Sequence, residues 1–340
     1  MAIAANRGAL TGLLQALDHP GPLVVLPHDN PDPDALASAA ALKHLAATLL
    51  EREAHIALGG IVGRAENRAM LTYLNITLVP VSEVRFGRDT QVILVDTQPG
   101  RSNNSLPDGV VPVGVIDHHP AYSAYPNVPF LDLREQYGAT STILTEYLRE
   151  SKHVPEAKIA TALFYGITAE TQDLGREATA ADIEAAHFLY PYTNKRRLAK
   201  IENARVPREY FRVFGEGIDR ATLYDRVVVS MLGEVQYPDM VAELADFLLR
   251  LDEVEWAAAI GTFGTCLHVS IRTTERDVNA GDLLQRVLGS KVAGGHDMIA
   301  GGRIPVGDDP AAHERAAAMV RDRLLAELGI DPACGQPLVR

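Results

Sequence analysis

Three short stretches carry the side chains that could do chemistry. The first reads His28-Asp29-Asn30-Pro31-Asp32-Pro33-Asp34, with two carboxylates four and six residues after an imidazole. The second is Val95-Asp96-Thr97 and the third Asp117-His118-His119. Each follows an apolar run: LVVL from residue 23, QVILV from residue 91 and VVPVGVI from residue 110. Imidazole plus several carboxylates suits Mn²⁺, Mg²⁺, Fe²⁺ or Zn²⁺, and the lack of thiolates argues against a structural zinc site. Unit charges about 4 Å apart repel by roughly 1 kcal/mol in water and about 4 kcal/mol at an effective dielectric of 20. Carboxylates gathered at one place therefore call for cations or raised pKa values. Each piece also has a bland reading. Asp32 before Pro33 is good helix N-cap chemistry, which is compatible with ligation. Asp96 is the kind of residue that ends a strand in a turn, and paired histidines alone prove nothing. The conjunction, each motif after its own apolar run, is what points to one metal-binding edge.

The elements around these motifs alternate. Leu23 to Leu26 reads as a buried parallel strand, followed by a helix from about Ala35. HIALGG (55–60) reads as a strand, 64–74 as a helix and 75–80 as a short strand, and 91–97 and 110–119 are strongly apolar strands. Helices are expected over 138–151, 155–170 and 179–190. This pattern predicts an α/β fold with a doubly wound, mainly parallel sheet, whose strands present ligands at their carboxyl ends. Residues 191–218 are more basic and read either as a linker, helical in part, or as a solvated helix face. Beyond them an apolar run at 225–234, a helix near 238–251, a strand pair WAAAIGTF and CLHVSIRT, and a helix near 310–328 predict a second, smaller α/β domain. The expected division is 1–190, a linker at 191–218, and 219–340.

The chain has 340 residues, 47% hydrophobic, with a formal net charge of −12. That length accommodates two domains. The acidic balance argues against long nucleic acids, whose phosphates need Lys and Arg. Cys266 and Cys334 lack CxxC spacing, which fits a reducing cytoplasm. The N-terminal segment reads as a short helix and not a signal peptide, and no run reaches the roughly 20 apolar residues of a membrane span.

With these residues in place, the chain resembles the DHH phosphoesterase superfamily, named for the triplet that stands here as Asp117-His118-His119. His28 to Ser38 resembles the first motif and Val95-Asp96-Thr97 the second. Ser270-Ile271-Arg272 and Gly294-Gly295-His296 are similar to motifs of the DHH-associated C-terminal domain. The fourth motif departs from the family's Asp-Thr pair: Gly166-Ile167-Thr168-Ala169-Glu170-Thr171-Gln172-Asp173 places Glu170 at the matching position, with Asp173 as competitor. The resemblance implies two divalent cations, foremost Mn²⁺, with Mg²⁺ or Fe²⁺ as alternatives. One would be held by His28, Asp32 and Asp96, and the other by Asp34, Asp96, His118 and Glu170. It implies that Asp117 orients its neighbours and that His119 faces the substrate phosphate. Arg272, Gly294, Gly295 and His296 would bind the substrate's anionic groups, across an active-site cleft between the domains. Arg101 and Asn103 are further substrate-contact candidates. Gly138-Ala139-Thr140-Ser141 opens a helix whose N–H groups serve either a phosphate or ordinary capping.

The activity implied is hydrolysis of small nucleotides, as in the similar bifunctional oligoribonuclease/phosphoadenosine-phosphate phosphatases. The substrates would be short oligoribonucleotides, dinucleotides or 3′-phosphoadenosine 5′-phosphate. Alternatives are a RecJ-type single-strand exonuclease, a pyrophosphatase or exopolyphosphatase, and a non-catalytic nucleotide-sensing module. No membrane partner is expected, and the apolar helices would allow a homodimer.

Overall fold

The computed structural model describes residues 8–175, 178–295 and 298–339. His296, one of the residues singled out above, lies outside them. The chain splits into two compact units, Met1–Ala204 and Arg205–Arg340. Residues 191–218, expected as a linker, hold two helices, α7 (Lys195–Glu202) in the first unit and α8 (Arg208–Asp219) in the second.

In the first unit the strands are β1 (Leu23–Leu26), β2 (Ala54–Leu58), β3 (Leu78–Pro80), β4 (Gln91–Val95), β5 (Gly114–Asp117) and β6 (Phe130–Leu133). They form one sheet in the order β3-β2-β1-β4-β5-β6. Every pairing is parallel. This is the order of a doubly wound sheet, and its direction reverses between β1 and β4, where such sheets bind ligands. The helices are α1 (Ala9–Leu17), α2 (Pro33–Leu50), α3 (Ala65–Leu74), α4 (Thr140–Ser151), α5 (Ala157–Glu170) and α6 (Ala180–Leu189). With α7 they bury one common core against Leu23, Val25, Ile93, Val95 and Ile116. The alternate strand residues Val24, Leu26, Val92, Leu94 and Val115 face a thinner layer, which includes Val84, Phe86, Leu106 and Val128 from connecting loops. Because a strand side chain switches face at each residue, both sides are apolar and the strands read as continuous hydrophobic runs.

Helix α2 is rich in alanine and buried along most of its length. Its small side chains let α5 approach closely. At the crossing sits Gly166, where a Cβ would lie 2.4 Å from Ser141 Oγ, 3.1 Å from Ala37 Cβ and 3.2 Å from Asp34 Cα.

The second unit has a seven-stranded mixed sheet. Its strands are β7 (Thr222–Tyr224), β8 (Val227–Glu234), β9 (Trp256–Phe263), β10 (Cys266–Thr273), β11 (Ala293–Gly295), β12 (Ile299–Pro305) and β13 (Gln336–Pro337), in the order β11-β12-β10-β9-β8-β7-β13. Among the described residues only β8 and β9 run parallel. Helices α8 and α9 (Asp239–Leu248) bury Val213, Met240 and Leu244 on one face. Helices α10 (Ala280–Leu288) and α11 (Pro310–Glu327) bury Leu284, Val320 and Leu324 on the other. Among the described residues no helix is long and apolar enough to cross a membrane.

Candidate metal centre

The three motifs leave the carboxyl ends of β1, β4 and β5, which are adjacent in the sheet. Val25 pairs with Ile93, and Val95 with Ile116. Asp32 caps α2: its Oδ1 accepts from Ala35 N at 2.9 Å, with Pro33 in the first turn. Its other oxygen, Oδ2, lies 3.7 Å from His28 Nε2, so capping and site duties fall on different atoms. Asp96 ends β4 in the left-handed region, at φ 58°. A buried non-glycine residue held there carries backbone strain of the kind found at functional sites. The strain turns the carboxylate toward the neighbouring histidines, and the side chain is only 2% exposed.

Asp96 is shared by two groups of potential ligands. His28, Asp32 and Asp96 form one, and Asp96, His118 and His119 the other, with ligand atoms in each group within 4.8 Å of one another. His28 Nε2 lies 3.5 Å from Asp96 Oδ2, and His118 Nε2 3.6 Å from Asp96 Oδ1. These separations exceed a good hydrogen bond and match the spacing of two atoms that ligate one cation at about 2.0–2.2 Å. His118 Nδ1 lies 3.1 Å from the Tyr137 carbonyl, an arrangement that places the proton on Nδ1 and frees Nε2 for ligation. The donor set therefore fits a pair of hard or borderline divalent cations.

The charges point the same way. Burial opposes protonation of His28, yet the Asp32 and Asp96 carboxylates overcome it and hold its pKa well above the usual imidazole range. His118, likewise buried, is pushed up to about 9 by Asp96, Asp34 and Glu170. Glu170 is pushed up to about 7, first by burial and then by the Asp32 and Asp96 carboxylates. Burial and the Asp96 charge also raise Asp34. Without cations the cluster balances its negative charge with protons.

Asp34 stands outside both triads. Its oxygens accept the Thr140 and Ser141 backbone N–H groups, each at 2.7 Å. The opening of α4 is therefore engaged by a carboxylate of the chain itself, which answers the choice between phosphate and capping left open by the sequence. Thr140 Oγ1 also donates to Asp96 Oδ1 at 2.9 Å. Glu170, at the end of α5, shares the field of the cluster, whereas Asp173 is exposed on the following turn, with φ 56°. His119, assigned by resemblance to the phosphate, sits 3.7 Å from Asp96 Oδ1 and donates from Nδ1 to Asp117 Oδ1 at 2.8 Å. Burial raises and His119 lowers the Asp117 pKa, with lowering the net result.

Arg101 donates to the Pro120 carbonyl at 3.3 Å and lies over the Tyr122 ring. Asn103 ties two motif loops together: its carbonyl accepts from Asp29 N at 2.7 Å and its side chain from Thr97 Oγ1 at 2.8 Å. In the second unit Arg272 is buried, with its guanidinium bonded to Asp246, Ser270 Oγ and the Ile271 carbonyl. Gly294 and Gly295 lie in edge strand β11. A Cβ on Gly295 would meet Ile299 O at 2.2 Å.

Gln98 was not singled out from the sequence. It is fully buried; its Nε2 donates to Asp117 Oδ2 at 2.7 Å and its Oε1 accepts from Tyr122 N at 2.8 Å and Tyr125 Oη at 3.0 Å. Asp182 was not singled out either. It is buried and accepts from Gly138 N at 2.9 Å and from Thr142 Oγ1 at 2.5 Å, which fixes the approach to α4. With Thr179 it also forms the capping box that opens α6.

A parallel sheet with an imidazole–carboxylate cluster at its switch point defines a class of metal-site α/β proteins. Within it, residues 22–167 match the DHH family, N-terminal domain, and residues 225–324 match the DHHA1 domain. The chain thus carries a DHH domain followed by a DHHA1 domain. It is 34% identical over 320 residues to "Uncharacterized protein MJ1633" of Methanocaldococcus jannaschii, covering 91% of this chain and 64% of that protein. It is 30% identical over 168 residues to a "Probable manganese-dependent inorganic pyrophosphatase" of Enterococcus faecalis, covering 49% of this chain and 54% of that one. The chain thus spans between half and two thirds of the length of these relatives. The crystal structure of an exopolyphosphatase-related protein from Bacteroides fragilis superposes with a TM-score of 0.73 at 11% identity, over 96% of this chain and 100% of the other. That likeness establishes the shared fold.

Proposed function

We propose that this chain is a metal-dependent phosphoesterase of small nucleotides: dinucleotides, very short oligoribonucleotides or 3′-phosphoadenosine 5′-phosphate. The observation that carries the reading is the meeting of two imidazole–carboxylate triads at the buried Asp96. His28, Asp32 and Asp96 would hold one divalent cation; Asp96 and His118 of the other triad, joined by resemblance with Asp34 and Glu170, would hold the second and leave His119 to the substrate. Mn²⁺ is the foremost candidate, in keeping with the names of the pyrophosphatase relatives. When bound, such a pair supplies Lewis acidity that acidifies water and neutralises charge on phosphoryl oxygens. The chain's own side chains do the rest. Asp117, braced by Gln98, accepts from His119 Nδ1 and favours the imidazolium form of that ring, whose Nε2–H would donate to a phosphate oxygen. Arg272, Gly294, Gly295 and, by resemblance alone, His296 are assigned to an anionic group of the substrate. The acidic surface favours short substrates in the cytoplasm over long strands.

A second reading, hydrolysis of pyrophosphate, draws on the likeness to pyrophosphatases over about half of the chain. Turnover by the Mn²⁺-loaded protein on phosphoadenosine phosphate, a dinucleotide, a cyclic dinucleotide, a long single strand and pyrophosphate separates the two. Hydrolysis of a dinucleotide or phosphoadenosine phosphate is expected. Turnover confined to pyrophosphate, or none at all, would overturn the first reading.

A further inference from the structure

The loops leaving β4 and β5 carry a feature that phosphate chemistry leaves unused. Tyr122, three residues beyond His119, is 55% exposed. Single exposed aromatics are ordinary on protein surfaces. This one is built in from three sides. Its backbone N–H donates to Oε1 of the buried Gln98, whose Nε2 holds Asp117. The Arg101 guanidinium lies 4.8 Å from its ring centroid and is itself fixed to the Pro120 carbonyl. Gly100, at φ 81°, passes flush with the ring edge: a Cβ there would sit 3.5 Å from Tyr122 Cε1. The ring is thus preorganised, and a three-residue segment reaches at most about 10 Å from His119.

The geometry points to Tyr122, with Arg101, as a stacking subsite for a nucleobase attached to the phosphate handled by the histidine–carboxylate cluster. A flat aromatic face beside a guanidinium accepts any base by stacking, a contact that a bare pyrophosphate, having no ring, does not make. The inference deepens the nucleotide reading above and rests on it for its substrate class. Base–aromatic stacking is worth enough that its removal weakens binding by about 5- to 100-fold.

Two measurements on the full chain test it. The first compares kcat/KM for a ribodinucleotide with that for the same dinucleotide carrying an abasic sugar, in wild type and in Tyr122→Ala. Wild type is expected to prefer the base-bearing substrate by about 5- to 100-fold, and the variant to lose most of that preference. An unchanged preference ratio overturns the subsite. The second introduces Tyr122→Trp as a fluorescent reporter against the single, buried Trp256 and titrates the dinucleotide without turnover. Quenching by the dinucleotide but not by pyrophosphate is expected, and its absence overturns the subsite whether or not the chain hydrolyses anything. Failure of wild type to turn over either dinucleotide, with quenching intact, would instead overturn the hydrolytic reading.

Discussion

Replacing Gly166 with alanine sets two physical effects against each other. In an exposed helix the change would stabilise by about 1 kcal/mol, because glycine has more backbone freedom to lose. Here the new Cβ would enter at 2.4 Å from Ser141 Oγ, 3.1 Å from Ala37 Cβ and 3.2 Å from Asp34 Cα. The serine hydroxyl can rotate, but the two carbons behind it belong to α2 and cannot yield without moving the helix. Overpacking of this kind costs about 1–3 kcal/mol. The net expectation for Gly166→Ala is a loss of up to about 2 kcal/mol, or roughly 2–6 °C in Tm. Helix α5 ends at Glu170 and crosses α2 at Asp34, so the same displacement should weaken Mn²⁺ binding by about tenfold or more. Urea unfolding and isothermal titration with Mn²⁺ measure both. Adding Ser141→Ala should restore part of the loss, since it removes the closest clashing atom, a coupling that a double-mutant cycle isolates. A Gly166→Ala protein that gained the stability helix propensity promises, with Mn²⁺ affinity intact, would refute the packing argument.

Metal binding and pH should be linked with a defined sign. In the metal-free protein Glu170 keeps its proton to about 7 instead of 4.5, and His118 to about 9 instead of 6.5. The folded state thus holds protons that the unfolded chain releases, and metal-free stability falls as pH rises through 4.5–7 for Glu170 and 6.5–9 for His118. Cations displace those protons, so the Mn²⁺-induced rise in Tm should grow between about pH 6 and about pH 8; a flat or shrinking rise contradicts the assignment. Glu170→Gln should lower Mn²⁺ affinity by about 10- to 100-fold while Asp173→Asn leaves it near wild type, and titration calorimetry showing the reverse order would move the fourth-motif ligand to Asp173.

The chemistry was legible where ligands follow apolar strands. Parallel strands end on one edge, so motifs after β1, β4 and β5 converge even though about 20 to 60 residues separate them. What stayed hidden depends on three-dimensional hydrogen bonding. Gln98 is a residue type mostly found at surfaces, and nothing in DTQPG signals that its amide is the buried brace of Asp117. The left-handed backbone at Asp96 has no glycine to advertise it. The opening of α4 looked like an anion site because free N–H groups there bind anions, and the anion is Asp34 of the chain itself. Strand β6 and helix α10 also went unread: FLDL is too short for a period, whereas AGDLLQRVL carried a legible signal, an amphipathic period behind Asn279 as N-cap, that was passed over.

The most direct test is the number of Mn²⁺ ions bound per chain, by equilibrium dialysis, in wild type and in Asp96→Asn. Asparagine tolerates the left-handed backbone that Asp96 adopts, so the variant removes the shared charge without adding strain. Two ions per wild-type chain, falling to one or none in the variant, is the expected result. A wild-type chain that binds no Mn²⁺, or an Asp96→Asn chain that still binds two with unchanged affinity, would contradict a metal pair centred on Asp96.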